Sequence, residues 1–165
     1  MTLSFYSNGL GLQVRVVSMK IIKLDKIKRK SRLTHSEYRN DYHLMFATKS
    51  YNPWLNPLLI IRIRILFREK AEELNLKLYL VNGFKNHIHV LLSIPPTITI
   101  SNTVRHLKGY SSRVLGKKKF WKEGYLIQSI GEKDFALAFS NIQNQAKYHR
   151  NRSAQNEIRD FLKSA

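Results

Sequence analysis

Residues 86–92 read Asn-His-Ile-His-Val-Leu-Leu, and this run limits the possible folds more than any other stretch. A strand sends alternate side chains to opposite faces, so His87 and His89 share one face while Ile88 and Val90 leave the other. The second face needs a core beneath it. Two imidazoles side by side on a sheet face are a ready pair of metal ligands. The simpler alternative is two polar residues on the solvated side of a half-buried strand.

The segments around this run suggest a fold. Tyr42 to Thr48 is a plausible strand, followed by a loop from Lys49 to Pro57 that holds two prolines and Trp54. From Leu58 to Leu74 the apolar positions Leu59, Ile63, Leu66, Phe67, Ala71 and Leu74 recur near the 3.6-residue period of a helix, and Asn75 is a reasonable stop. Leu76 to Leu80 reads as a strand. Val81-Asn82-Gly83-Phe84 reads as the turn into the His-Ile-His strand, which runs to Ile94 before Pro95-Pro96. Ser101 is the expected N-cap of a helix from Asn102 to about Leu115, with Gly109 admitting close approach of another backbone. Tyr125 to Ile130 is the fourth strand, and one long helix is expected from Lys133 to about Arg150. Residues 151–165 read as a polar tail or peripheral helix with a short apolar patch at Ile158 and Phe161. This order predicts an α+β fold of the ferredoxin-like split βαβ type: an antiparallel sheet, helices on one face and a further C-terminal helix. The expected domain spans 41–150, with a basic extension over 1–40 and a tail over 151–165.

Charge narrows the class of partner. The 165 residues carry 29 Lys+Arg against 11 Asp+Glu, a net +18, which favours a polyanion and nucleic acid above all. Arg62, Arg64, Arg105, Lys108 and Arg113 are the candidate phosphate contacts, each with solvated surface charge as its alternative. Residues 20–32 hold seven Lys or Arg against the single Asp25 and could form a nonspecific phosphate-binding arm. No stretch approaches the ~20 apolar residues of a membrane span. Residues 1–18 lack the basic start of a signal peptide, and Met19 is a candidate start. The chain has no cysteine, which rules out disulfides and thiolate metal sites and suits a cytoplasmic location.

A metal on two histidines needs further ligands. No carboxylate lies near the motif in sequence, while the last helix offers Gln143, Asn144 and Gln145. An amide oxygen suits Mg²⁺ or Mn²⁺ better than zinc. The ordinary reading of Gln145 is an exposed helix residue.

Five segments together carry a resemblance. They are Tyr-His-Leu-Met-Phe-Ala-Thr-Lys (42–49), Asn-His-Ile-His-Val-Leu-Leu-Ser (86–93), Leu-Lys-Gly-Tyr-Ser-Ser-Arg (107–113), Phe-Trp-Lys-Glu-Gly-Tyr (120–125) and Asn-Gln-Ala-Lys-Tyr-His (144–149). In this order and spacing the chain resembles the single-tyrosine HUH transposases of the smallest insertion sequences, the TnpA-like and REP-associated tyrosine transposases. The resemblance implies a protein of DNA transposition that binds hairpin-bearing single-stranded DNA. It implies cleavage and rejoining through a 5′-phosphotyrosine, with no nucleotide cofactor. It also implies Mg²⁺ or Mn²⁺ on His87, His89 and Gln145, and a homodimer in which one subunit's tyrosine helix completes the other's site.

One position departs from that pattern. The family tyrosine lies four residues before the glutamine, one helical turn away, and here that residue is Asn141. A neutral amide is not a competent nucleophile at phosphorus. Tyr148, three residues after Gln145, is the replacement to consider, although it lies seven residues from Asn141, about 10 Å along a helix. Tyr110 reads as a packing or DNA-contact residue, and Tyr125 as a strand residue that packs. Three functions follow: a transposase-family DNA binder without its nucleophile, an active transposase using Tyr148, and a non-catalytic ferredoxin-like nucleic-acid-binding module. The last would need exposed aromatics on its sheet, where the central strand offers histidines.

Overall fold

A computed structural model describes residues 38–150 together with 152, 153, 156, 157, 159 and 161. The basic run over 20–32, the candidate start at Met19 and most of the 1–40 extension lie outside the described residues.

Four strands form one sheet: β1 (Asp41–Ala47), β2 (Lys77–Phe84), β3 (His87–Ser93) and β4 (Leu126–Ser129). Their spatial order is β2-β3-β1-β4, and every adjacent pair is antiparallel. Helices α1 (Pro57–Glu73) and α2 (Ile100–Val114) are the crossovers, so the expected split βαβ architecture is the observed one. α1 starts where Asn56 accepts a hydrogen bond from the Leu59 amide at 2.8 Å with Pro57 in the first turn. It ends before Asn75, which takes the left-handed conformation at φ 55°.

The apolar face of β3 works as its alternation predicts. Ile88, Val90 and Leu92 pack in one core with Ile60, Ile63 and Phe67 of α1 and Val104 and Leu107 of α2. The other face is covered too: α3 (Glu132–Gln143) lies against β2 and β3, and α4 (Gln145–Tyr148) against β2. All seven residues of β3 are therefore buried. The histidines do not stand on a solvated face.

Four local expectations change. Asn82-Gly83 is not the hairpin turn: both residues belong to β2, with Asn82 opposite His89 and Gly83 opposite Ile88. The turn falls at Lys85-Asn86, where Lys85 adopts φ 41°. Gly83 is glycine because the neighbouring strand is too close for a side chain; a Cβ there would sit 2.4 Å from the His87 carbonyl oxygen. α2 begins at Ile100, capped by Thr99, whose hydroxyl accepts from the Asn102 amide at 3.2 Å, so Ser101 is inside the helix. Nothing stands within 4 Å of a Cβ built on Gly109, so no backbone approaches it closely. The expected single C-terminal helix is broken: α3 ends at Gln143, and Asn144 leaves helical geometry before α4. Among the described residues no helix is long and apolar enough to cross a membrane.

Candidate metal centre

β3 sends both histidines to the face that α3 covers, and each residue is 1% exposed. The covering chain is held by Asn82, whose amide nitrogen donates to the carbonyls of Ile142 at 2.9 Å and Gln143 at 3.0 Å. Those carbonyls belong to the last turn of α3, where helix geometry leaves them without intrahelical partners. The break at Asn144 then turns α4 so that Gln145 is buried at 2% exposure, while Asn141, one turn earlier in sequence, is exposed on α3.

A carboxylate that is distant in sequence completes the cluster. Glu157 Oε2 lies 2.9 Å from His87 Nε2 and 2.8 Å from His149 Nε2, and Glu157 Oε1 lies 3.2 Å from His89 Nε2. Gln145 Nε2 donates to Glu157 Oε1 at 2.7 Å. The Nε2 atoms of His87 and His149 face each other at 3.2 Å. Phe84, opposite His87 on β2, stacks on His149 with ring centroids 4.7 Å apart.

Second contacts orient the rings. His149 Nδ1 lies 3.0 Å from the Arg152 carbonyl oxygen, which can only accept, so Nδ1 carries the hydrogen. His87 Nδ1 lies 2.9 Å from the Asn86 side-chain oxygen and donates likewise. His89 Nδ1 faces His43 Nε2 at 2.8 Å. Burial pushes the His43 ring down to about 3, with His89 adding to the effect and Glu157 opposing it. Burial likewise lowers His89, against the pull of Glu157. For Glu157 burial works against ionisation, but His87 and His89 outweigh it and hold the carboxyl well below the usual range.

Three buried side-chain atoms, His89 Nε2, Gln145 Oε1 and Glu157 Oε2, have no hydrogen-bond partner. Glu157 Oε2 is nonetheless within ion-pair distance of His87 Nε2 and His149 Nε2. An orphaned polar atom costs about 1–3 kcal/mol, and three in one cluster fit a site that accepts a cation. The donor atoms of His87, His89 and Glu157 lie within 4.8 Å of one another and could hold a metal. Imidazole nitrogens with one carboxylate suit a divalent transition ion.

The other expected site residues scatter. Tyr148 is half-exposed on α4, with the Arg152 guanidinium over its ring at 5.2 Å. Arg62, Arg105 and Arg113 are exposed on α1 and α2, the layer on the far side of the sheet from the histidines. Arg64 is half-buried and its Nε donates to the Val81 carbonyl at 3.0 Å. Lys108 donates to the carbonyls of Lys122 and Gly124, tying α2 to the segment before β4. Sequence reasoning missed Glu157, His149 and His43 as members of the cluster. His149 had a signal, since it follows Gln145 by one helical turn. For Glu157 the signal was weaker: an acid beside an apolar patch in a segment read as a tail.

With this geometry established, comparison with known proteins identifies the family. The family model described as "Transposase IS200 like" matches residues 36–145. The chain belongs to the IS200-like transposase family. This family acts in DNA transposition, and its matched segment includes His87, His89 and Gln145. Among curated relatives, the transposase for insertion sequence element IS200 of Salmonella typhimurium is 27% identical over 111 residues, covering 61% of this chain and 73% of that protein. The ISDra2 transposase TnpA of Deinococcus radiodurans is 26% identical over 119 residues, covering 66% and 85%. A crystal structure from Deinococcus radiodurans described as that of a transposase matches this chain with a TM-score of 0.56 at 26% identity, over 71% of this chain and 97% of the other. A REP-associated tyrosine transposase solved bound to a REP hairpin shares the fold at a TM-score of 0.56 and 17% identity, over 70% and 74%.

Proposed function

We propose that this IS200-like transposase binds hairpin-bearing single-stranded DNA and does not cleave it through a phosphotyrosine. The observation that carries the reading is Asn141. It stands four residues before Gln145, where the family pattern has its nucleophile, and it is exposed on a helix that ends two residues later. Tyr148 is the alternative nucleophile, which would make the protein an active transposase.

Several features support the binding half. The net charge of +18 suits a polyanion. A cleft of about 250 Å³ beside His87 is lined by Met45, Ala47, Tyr51, Lys122 and Tyr125. Its two tyrosines are 42% and 38% exposed, enough for bases to stack on them. Arg62, Arg105 and Arg113 are accessible cations for the phosphate backbone, whereas Arg64 and Lys108 already serve the fold. The hairpin-bound relative with this fold offers an analogy for the ligand. The functional domain covers 41–150 and draws Glu157 and Phe161 from beyond it; the working unit is a homodimer in the cytoplasm.

The His pair retains a divalent metal in this reading. The family resemblance implies Mg²⁺ or Mn²⁺ with Gln145 as third ligand, and a bound ion of that kind polarises a phosphoryl oxygen. Gln145 reaches the histidines through Glu157 and keeps a buried amide oxygen without a hydrogen-bond partner, so it remains a possible donor.

The test is incubation of the full chain with labelled single-stranded hairpin DNA and Mn²⁺, followed by a denaturing gel and a binding titration. Salt-sensitive binding without a covalent adduct is the expected result. An adduct that vanishes in Tyr148→Phe would establish the active transposase instead.

A further inference from the structure

The cleft beside His87 has walls from two segments that are distant in sequence. One is the turn after β1, with Tyr51; the other is the approach to β4, with Lys122, Glu123 and Tyr125. Backbone hydrogen bonds fasten these walls together. The Lys122 amide donates to the Ala47 carbonyl at 2.9 Å, and the Lys49 amide donates to the Phe120 carbonyl at 2.9 Å. The Thr48 hydroxyl lies 2.6 Å from the Asn52 carbonyl oxygen and 3.1 Å from that of Asn86, which ties the turn to the start of β3. The Lys108 ammonium holds the second wall through the Lys122 and Gly124 carbonyls. The cleft is therefore built into the fold.

Its backbone and side chains both point to a ligand. Ser50 and Tyr51 sit in left-handed backbone at φ 54° and 55°, which residues other than glycine rarely adopt. Residues held in that conformation cluster where a chain clamps a ligand. Core packing does not account for Tyr51, because it is 42% exposed. The Lys122 ammonium lies over its ring, 5.5 Å from the centroid. An aromatic face beside a flexible cation matches the two halves of a nucleotide, a base that stacks and a phosphate that carries charge. Tyr125, 38% exposed, adds a second ring, and the Glu123 carboxylate can accept from the N–H groups of a base. This mixed lining suits a base better than a bare anion, which Glu123 would repel. At about 250 Å³ the cleft is smaller than the ~300–1,000 Å³ of a pocket for a drug-sized ligand, and one base is a fitting occupant.

We propose that this cleft seats one unpaired base of single-stranded DNA, stacked on Tyr51 with its phosphate on Lys122. A base held there fixes the register of the strand against His87, which lines the same cleft. Tyr51, Lys122 and Tyr125 are then specificity-determining residues outside the histidine cluster. The proposal rests on the reading that the protein binds single-stranded DNA bearing a hairpin.

Two labelled probes separate the proposal from that reading: a DNA hairpin flanked by single strands, and the same hairpin without them. An abasic nucleotide is placed in turn at each unpaired position, and the full chain is titrated by fluorescence anisotropy. Tyr51→Gly removes the ring while glycine accepts the left-handed backbone, so the turn is kept. Circular dichroism checks the folding of every variant. On the flanked probe, one abasic position is expected to weaken binding about 10-fold, and Tyr51→Gly to weaken it equally. The two changes together cost no more than either alone, and Tyr51→Phe keeps the wild-type affinity. Lys122→Ala makes the slope of log affinity against log salt shallower by about 0.7. Binding to the bare hairpin stays unchanged in all three variants. Unchanged affinity in Tyr51→Gly, equal losses on both probes, or additive losses at every abasic position would overturn the base seat and leave DNA binding standing. Absence of binding to either probe by the wild type would overturn both.

Discussion

On one face of β3, Ile88, Val90 and Leu92 are sealed beneath α1 and α2 by apolar side chains. On the other, His87 and His89 are just as dry, but Gln145, His149 and Glu157 seal them with polar atoms. The same strand thus borders two interiors of different kinds. The apolar interior is non-directional, and its strength follows the area and volume it fills. The polar interior depends on each donor finding its acceptor, and here several acceptors find no donor. The first holds the fold without help from a ligand. The second offers donor atoms that could hold a cation.

The sharpest way to test this contrast is to damage the apolar side. Phe67 is fully buried among Phe46 and Trp121, and Phe67→Ala should cost about 3–5 kcal/mol in urea unfolding with or without metal. A loss that metal could reverse would show the two interiors to be coupled. Gly83→Ala probes the seam between them. Its new Cβ would meet the His87 carbonyl oxygen at 2.4 Å and push β3 aside, at about 1–3 kcal/mol, and it should weaken metal binding through the displaced histidine. Paired melting and titration with a divalent metal would check both effects. Asn82→Ala removes the amide that holds the end of α3. About 1 kcal/mol of stability should be lost, with faster hydrogen exchange concentrated in α4. Uniformly faster exchange would mean that Asn82 serves the sheet rather than the covering helix.

The smallest effect concerns Lys108, the polar anchor of the α1–α2 layer. Burial, aided by Lys122 and opposed by Glu123, lowers its ammonium from an ordinary 10.5 to about 8. Between those values the unfolded chain keeps a proton that the folded chain releases, so stability rises with pH across that window. Lys108→Met should remove that rise. Unfolding midpoints measured below and above the window, in both proteins, give the comparison; equal slopes would mean that the hydrogen bonds to Lys122 and Gly124 keep the ammonium charged.

Much of this was legible in the chain. The β-strand period of two assigned His87 and His89 to one face and Ile88 to the other. Apolar recurrence placed α1 within a residue of its observed ends. Asn82-Gly83 misled because that pair commonly marks a hairpin turn, whereas here the glycine answers a close backbone approach and the asparagine caps a distant helix. Gln145 was found by its family spacing, but its burial depends on the break at Asn144, which no residue type demands.

Local order is what the sequence by itself determined: the strand and helix sequence, the antiparallel hairpin, the paired imidazoles, and asparagine at position 141. These follow from periodicity and from the chemistry of single side chains, which neighbours in the chain are enough to define. Only the tertiary structure decided that the histidine face is buried and that His149 and Glu157 close over it. Glu157 is 68 residues beyond His89, and no local pattern records which distant carboxylate will meet a given imidazole. That pairing arises from packing, when the chain beyond Asn144 folds back over β3.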